Sequence, residues 1–171
     1  MRVLLEQRVD VNAADAACRT AMIEAVEEGH ESIVRLLAEY NADVNAVDAN
    51  GATALMMATN SGNHSLVYLL LEVSADVNAA DKKGCSALYD AARFGFDSIV
   101  RSLLERKADV NATTEGGETA IMPAAFCGHL SVLQLLIDGK ANVKASTTKP
   151  GAAGVTALMM AARSCRHSAA S

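Results

Sequence analysis

The sequence contains no tryptophan and only 3 phenylalanines and 3 tyrosines among its 171 residues. An interior this poor in aromatic rings has to be built from Leu, Val, Ile, Met and Ala, and 33 of the residues are alanines. Because small side chains let helices approach one another closely, this composition suits a protein of packed helices. Only 2 prolines are present, and no low-complexity tract interrupts the chain, which argues against disorder.

Long apolar runs and an excess of basic residues are both missing. No run approaches the roughly 20 apolar residues of a membrane span, and the short apolar stretch near Met1 is followed at once by Glu6, which is not the pattern of a secretory signal. The 15 basic and 20 acidic residues give a net charge of −5. Nucleic acids and anionic membranes bind clustered cations, so we expect neither as a partner and no direct membrane insertion.

The 4 cysteines have no partners at a useful spacing. Cys18, Cys85, Cys127 and Cys165 are separated by 67, 42 and 38 positions, without a C-x-x-C pair or a histidine at zinc-ligand spacing. A zinc site and a disulfide framework are therefore not expected. Reduced thiols predict an intracellular, soluble protein, and the cytoplasm is the expected compartment.

A repeat of 33 residues organises the whole chain. The string Ala-Asp-Val-Asn-Ala occurs at 42–46, 75–79 and 108–112, and weaker copies lie at 9–13 and 141–145. We therefore predict a single array over 1–171, in which each full repeat is numbered from position 1 to position 33. It consists of a partial repeat at 1–13, full repeats at 14–46, 47–79, 80–112 and 113–145, and a partial repeat with a four-residue insertion at 146–171.

Each repeat carries the signals of two short helices. Position 7 is Thr or Ser, a good helix N-cap, and it precedes a stretch rich in alanine. Position 16 is Gly29, Gly62, Gly95 or Gly128, which predicts a helix stop in a left-handed conformation. Apolar residues at helical spacing follow, and Asp, Asn and Gly between repeats predict a tight hairpin. Because no single repeat could bury its own apolar face, the repeats have to stack.

The repeats resemble those of the ankyrin repeat family over essentially the whole chain. The resemblance is carried by the Thr/Ser-Ala-Leu helix start, the Ala91-Ala92 pair, the Gly-His turns at Gly29-His30 and Gly128-His129, the Leu-Leu pairs and the Ala-Asp-Val-Asn-Ala tail. It implies an all-α solenoid of stacked helix-turn-helix units with connecting β-hairpin loops. It also implies a structural role for the turn histidines and for Asn45, Asn78 and Asn111; in the family this asparagine can be hydroxylated.

The sequence departs from the family pattern at the start of the first helix. The usual Thr-Pro-Leu-His becomes Thr-Ala-Leu-Met at 53–56, and the missing proline should loosen the helix entry slightly. The family histidine at position 10 ties neighbouring repeats together. Its replacements here predict apolar packing in place of hydrogen bonds; they are Ile23, Met56, Tyr89, Met122 and Met159.

Two irregularities concern the fifth repeat and the two ends. Four extra residues near Lys149–Gly154 should lengthen one hairpin, either as a tolerated surface insertion or as a finger that contacts a partner. Neither end carries the polar capping repeat that isolated arrays need. A longer natural array would explain this, and so would another chain that covers the ends.

The sequence offers no catalytic constellation. It has no Gly-rich phosphate loop, no His-Glu-x-x-His and no Gly-x-Ser-x-Gly motif. Asp43, Asp76 and Asp109 recur with the repeat and are therefore interpreted as structural. We expect no enzyme, no catalytic residue, no cofactor and no metal, although an enzyme or its regulatory fragment is the third hypothesis considered.

Positions 3, 4, 6, 14 and 15 vary between repeats, and by resemblance they face the binding groove of an ankyrin array. Aromatic rings and arginines there are candidate hot spots. The candidate partner-binding residues are Arg93, Phe94, Phe126, Glu118, Glu115, Lys82, Lys83, Glu27, Glu28 and Asn60. Two alternatives stay open: the two Phe rings could instead be core, and Lys82-Lys83 could be a solvated tip or a phosphate site.

The predicted function is a non-enzymatic protein–protein interaction module, an adaptor or scaffold that binds another protein in the groove. The alternative is a structural subunit of a larger complex, docked through its uncapped ends and hairpin tips.

Overall fold

The protein is described by a computed structural model that covers the backbone of residues 9–168 and the side chains of residues 9–163. These residues contain nine α-helices and no strand beyond isolated β-bridges. The helices are α1 (Ala21–Glu27), α2 (Glu31–Glu39), α3 (Ala54–Asn60), α4 (His64–Glu72), α5 (Ala87–Phe94), α6 (Asp97–Glu105), α7 (Ile121–Cys127), α8 (Leu130–Asp138) and α9 (Ala157–Ser168). The predicted all-α class is confirmed.

The chain divides into two compact units, an N-terminal unit of residues 1–82 and a C-terminal unit of residues 83–171. In the N-terminal unit, α1 packs against α2 and α3, and α4 packs against α2 and α3. In the C-terminal unit, α7 packs against α5, α8 and α9, while α6 packs against α5 and α8. Each unit is therefore built from stacked helix pairs. That both form one array over 1–171 stays a prediction.

The cores of both units are aliphatic, as the composition predicts. Leu55, Leu66 and Leu70 are at most 1% exposed in the N-terminal unit, and Leu88 and Leu103 are equally buried in the C-terminal unit. Alanines such as Ala58, Ala91, Ala92 and Ala124 are fully buried between first helices and their neighbours. Close helix contact through small side chains replaces the aromatic packing that the sequence cannot supply.

Hydroxyl caps begin the first helix of three full repeats. The backbone N–H of Ile23, Met56 and Tyr89 donates to the side-chain oxygen of Thr20, Thr53 and Ser86 respectively, at 3.3–3.4 Å. These bonds satisfy donors that a helix start leaves unpaired. The predicted N-caps are confirmed in these repeats.

The fourth repeat begins its first helix differently because Pro123 lies at position 11. In the other repeats the backbone N–H at that position donates to the carbonyl at position 7, as Met57 does to Thr53. Proline has no N–H, so the Thr119 carbonyl accepts the backbone N–H of Met122 instead. The helix therefore starts one residue later, and its N-cap residue is Ala120, which has no side-chain oxygen to cap it. The Thr119 hydroxyl is consequently buried without a hydrogen-bond partner among the described residues.

Left-handed glycines end the first helices, as predicted. Gly29, Gly62, Gly95 and Gly128 all have φ between 68° and 76°. At Gly95 a Cβ atom would lie only 2.6 Å from Nδ1 of His129, whose Nε2 is 3.1 Å from the carbonyl oxygen of Arg93. His129 thus ties the second helix of one repeat to the end of the first helix of the previous repeat, which confirms its predicted structural role.

The recurring Asp and Asn residues build a ladder between successive repeats. The Oδ1 of Asn45 accepts the backbone N–H of Asp76 at 2.8 Å, and Asn111 makes the same bond to Asn142 at 2.7 Å. Asp43 and Asp109 accept the backbone N–H two residues further on. The side chains of Asn45, Asn111, Asp43 and Asp109 are therefore structural, as predicted.

The hairpins between repeats close through isolated bridges, including Val47 with Thr53 and Ser146 with Thr156. Asp48 accepts the backbone N–H groups of Asn50 and Ala52, both at 2.8 Å. Burial opposes ionisation of this carboxyl, but the N–H donors outweigh it and lower the pKa of Asp48.

One prediction about position 10 is wrong. Ile23, Met56 and Met122 are buried and pack as predicted, whereas the hydroxyl of Tyr89 donates a hydrogen bond to Glu118 of the next repeat at 2.5 Å. Met159 is 52% exposed and therefore lies outside the core.

Candidate protein-binding groove

The first helices of the C-terminal unit border an open cavity of about 430 Å³. Its lining includes Arg93 at the end of α5, Pro123 and Phe126 on α7, and Met160 and Arg163 on α9. We call this cavity the groove. It is bordered by three successive repeats because α7 packs against both α5 and α9.

Three of these side chains occupy the same repeat position. Arg93 and Phe126 are at position 14, and Arg163 also reaches position 14 once the four inserted residues are subtracted. All three are exposed on consecutive first helices. We call them the position-14 row. In this row the aromatic ring of Phe126 has an arginine on the helix to either side.

The two candidate Phe rings are both exposed, Phe94 by 42% and Phe126 by 49%. The alternative that they form core between the first helices is therefore excluded. They do not play the same part, because only Phe126 lines the groove. Phe94 stacks on Phe96 with ring centroids 5.7 Å apart, and the guanidinium of Arg93 lies 4.9 Å from its centroid.

One wall of the groove is formed by Tyr89 and Glu118, whose side chains share a hydrogen bond. Burial, with the added effect of the Glu118 carboxylate, raises the pKa of Tyr89 well above its ordinary value. The phenol therefore stays protonated and keeps donating at neutral pH. This bond occupies one of the two carboxylate oxygens of Glu118, a residue that also lines the cavity.

On the other side of this wall lies a second cavity of about 400 Å³ between hairpin tips, which we call the tip cavity. It shares Tyr89 and Glu118 with the groove and is also lined by Lys83, Glu115 and Lys149. The tips are joined by backbone hydrogen bonds, from Glu115 N–H to the Lys83 carbonyl and from Thr148 N–H to the Gly116 carbonyl, each at 2.9 Å.

The insertion in the fifth repeat forms an ordered, lengthened hairpin, as predicted. Thr147 is buried, accepts the backbone N–H of Val155 at 3.1 Å and donates to the carbonyl of Ala152. The backbone N–H of Gly154 donates to the Thr147 carbonyl at 2.8 Å. This finger brings Lys149 and Pro150 to the tip cavity.

The candidate residues of the N-terminal unit do not form such a site. Glu27 is 2.6 Å from the guanidinium of Arg19, which also pairs with Glu24 at 2.5 Å. Glu28 and Asn60 are exposed at the ends of α1 and α3. Lys82 Nζ donates to the carbonyl of Ala49 at 2.7 Å, so this lysine is folded onto a neighbouring hairpin.

The described residues contain no group of three or more His, Cys, Asp or Glu side chains placed to hold a metal ion. Cys18, Cys85 and Cys127, the cysteines whose side chains are described, form no disulfide. Over the part of the chain with described coordinates, no helix is both long and apolar enough to cross a bilayer.

Stacked helix pairs with left-handed glycine stops and projecting hairpins define a helical-repeat protein. Two family models match the chain: "Ankyrin repeats (3 copies)" over residues 42–114 and 88–171, and "Ankyrin repeat" over residues 18–49. The chain belongs to the ankyrin repeat family, and its fold is the predicted ankyrin-type solenoid. Ankyrin repeats are generally protein–protein interaction modules and typically non-catalytic. A search of curated proteins finds no significant match.

Several groove residues were not predicted from the sequence, namely Tyr89, Pro123, Met160 and Arg163. Arg163 could have been found by carrying position 14 across the insertion. Tyr89 carried a signal too, since a phenol at position 10 can form the hydrogen bond that the family histidine supplies. Met160 had no signal, because position 11 is exposed at Glu24, half-buried at Met57 and Asp90 and buried at Pro123, and so shows no consistent exposure.

Proposed function

We propose that this chain is a non-enzymatic adaptor or scaffold that binds another protein through the groove of its C-terminal unit. The observation that carries the proposal is the position-14 row, in which a half-exposed aromatic ring lies between two exposed arginines. Interface hot spots are enriched in aromatic residues and arginine surrounded by polar groups. The Phe126 ring is 49% exposed in a chain that otherwise buries most of its large apolar side chains.

Catalysis is not part of the proposal. A reaction needs a nucleophile, a base and an orienting group that converge on one substrate atom. The groove offers a tyrosine that stays protonated, a glutamate that accepts its hydrogen bond, and arginines that do not exchange protons at neutral pH. The exposed Cys127 thiol also lines it, but its described lining includes no histidine that could act as a base for this thiol. This chemistry suits recognition of a partner. The intracellular location and the absence of nucleic-acid binding stay predictions.

The test is affinity capture from a native extract, quantified by mass spectrometry. Immobilised wild-type chain is compared with Phe126→Ala and with Leu130→Ala. Leu130 is 77% exposed at the start of α8 and does not line the groove, so it is a matched loss of an exposed apolar side chain. We expect a defined set of proteins to be lost with Phe126→Ala and kept with Leu130→Ala. Equal capture by all three chains would contradict the proposal.

A second candidate function is docking of the chain as a subunit of a larger assembly. Leu158 is 79% exposed on α9, although position 9 is at most 3% exposed in the four full repeats. In those repeats a second helix of the same repeat lies against the first. A helix from another chain could cover Leu158 in the same way. Under this candidate, Leu158→Ser abolishes capture and Phe126→Ala does not.

A further inference from the structure

The groove and the tip cavity together carry an excess of positive charge on an acidic chain. Among the described lining residues are four cations, Lys83, Arg93, Lys149 and Arg163. The only carboxylates in that described lining are Glu115 and Glu118, and Glu118 already accepts the hydroxyl of Tyr89. The whole chain has a net charge of −5. The binding face of the C-terminal unit is therefore opposite in sign to the protein as a whole, which favours an anionic partner.

The position-14 row sets the spacing of that partner's side chains. Packed helices lie about 8–10 Å apart, and α7 packs directly against both α5 and α9. Equivalent positions on these helices should therefore repeat at about 10 Å. A peptide in the polyproline II conformation advances about 3.1 Å per residue with three residues per turn, so side chains three residues apart lie on one face at about the same spacing. Side chains three residues apart can thus meet Arg93, Phe126 and Arg163 in turn.

The groove suits an apolar side chain at the middle of this row. Phe126 is half exposed, and the groove lining also includes the buried Pro123 on the same helix and the partly exposed Met160 on α9. An inserted leucine or isoleucine would remove apolar area of both partners from water. A nucleic-acid backbone would place phosphates next to Glu115 and Glu118 and would leave this apolar floor unused.

We propose that the position-14 row binds an acidic peptide segment of a partner protein in the polyproline II conformation, with one apolar residue three positions after one Asp or Glu and three positions before another. The carboxylates pair with Arg93 and Arg163, and the apolar side chain rests on Phe126. Lys83 and Lys149 at the tip cavity favour further acidic residues beyond this core. This inference rests on the proposed function, because it assigns the chemistry of the partner to the same groove.

The test uses synthetic fluorescein-labelled peptides and fluorescence anisotropy. The probe has glutamates at its first and seventh core positions, leucine at the fourth and serine elsewhere. A second peptide has glutamine in place of both glutamates. A third keeps the composition but moves the glutamates next to the leucine, and a single-stranded oligonucleotide is the fourth probe. We expect the first peptide to bind about tenfold more tightly than the second and third, and its binding to weaken as salt rises.

Matched variants separate local from overall charge. Arg93→Gln with Arg163→Gln should weaken binding of the first peptide by about tenfold. Arg35→Gln with Arg101→Gln removes the same charge from exposed sites at position 22 of second helices, and it should leave the affinity nearly unchanged. Equal loss in both double variants would overturn the inference. So would no binding of the first peptide, equal affinity for all peptides, or tighter binding of the oligonucleotide.

The proposed function can fail separately from this inference. If captured proteins depend on Phe126 but not on Arg93 and Arg163, the groove binds a partner of different chemistry and only the inference is wrong. If capture is indifferent to Phe126 as well, the proposed function is wrong.

Discussion

Substitution of Gly95 by alanine tests how the helix stop and the turn histidine are coupled. Gly95 and Gly128 end α5 and α7 with the same φ of 76°. A Cβ atom in the left-handed region costs about 1–2 kcal/mol, and the lower entropy of the unfolded chain offsets about 0.4–1 kcal/mol of that. Gly128→Ala should therefore cost about 1 kcal/mol, because no described atom lies within 4 Å of its added Cβ.

Gly95→Ala should cost more because its Cβ would meet the His129 ring. The added carbon would lie 2.6 Å from Nδ1 and 2.7 Å from Cε1, so the imidazole has to move. Moving it breaks the 3.1 Å contact between Nε2 and the Arg93 carbonyl, which is worth about 0.5–1.5 kcal/mol. The expected total for Gly95→Ala is about 2 kcal/mol, roughly twice the cost of Gly128→Ala.

The assay is guanidinium unfolding followed by far-ultraviolet circular dichroism, with His129→Ala as the second arm of a double-mutant cycle. Removing the imidazole should abolish the excess cost, so that Gly95→Ala in the His129→Ala background resembles Gly128→Ala. Equal costs of the two alanine variants in the wild-type background would refute the coupling. Survival of the excess without His129 would show that the imidazole is not its cause.

The remaining predictions concern caps, pH and the inter-repeat ladder. Thr53→Val should lower stability by about 1 kcal/mol in denaturant melts, because it removes an N-cap, whereas Thr119→Val should be neutral or stabilising, because that buried hydroxyl has no described partner. The folded state lowers the pKa of Asp48, so its stabilisation is complete above about pH 3.9 and is lost as pH falls through the folded value. The Asp48→Asn variant should therefore show a smaller decrease of Tm than wild type when the pH of the thermal melts is lowered. Asn45→Ala should raise amide hydrogen exchange at Asp76, whose N–H it accepts at 2.8 Å; unchanged exchange would contradict the ladder.

Local features could be predicted from the sequence because each depends on a few neighbouring residues. The period of 33 residues, the hydroxyl caps, the left-handed glycines and the lengthened fifth hairpin all follow from residue types whose backbone preferences are strong. The resemblance to ankyrin repeats then supplied the stacking, and with it the positions that vary between repeats. That was enough to place Arg93, Phe126 and Glu118 on a candidate groove.

What the sequence could not decide is how side chains at variable positions pair across repeats. Phe94 and Phe126 are equivalent candidates in the sequence, but Phe94 stacks on Phe96 and only Phe126 lines the groove. Pro123 lacks a backbone N–H, and as a result the Thr119 hydroxyl caps no helix N–H. This effect depends on which carbonyl the missing N–H would have reached. Tyr89 finds Glu118 29 residues away because stacking brings the two repeats together. Backbone preferences are local, whereas these contacts depend on the distance between helices that only the packed structure sets.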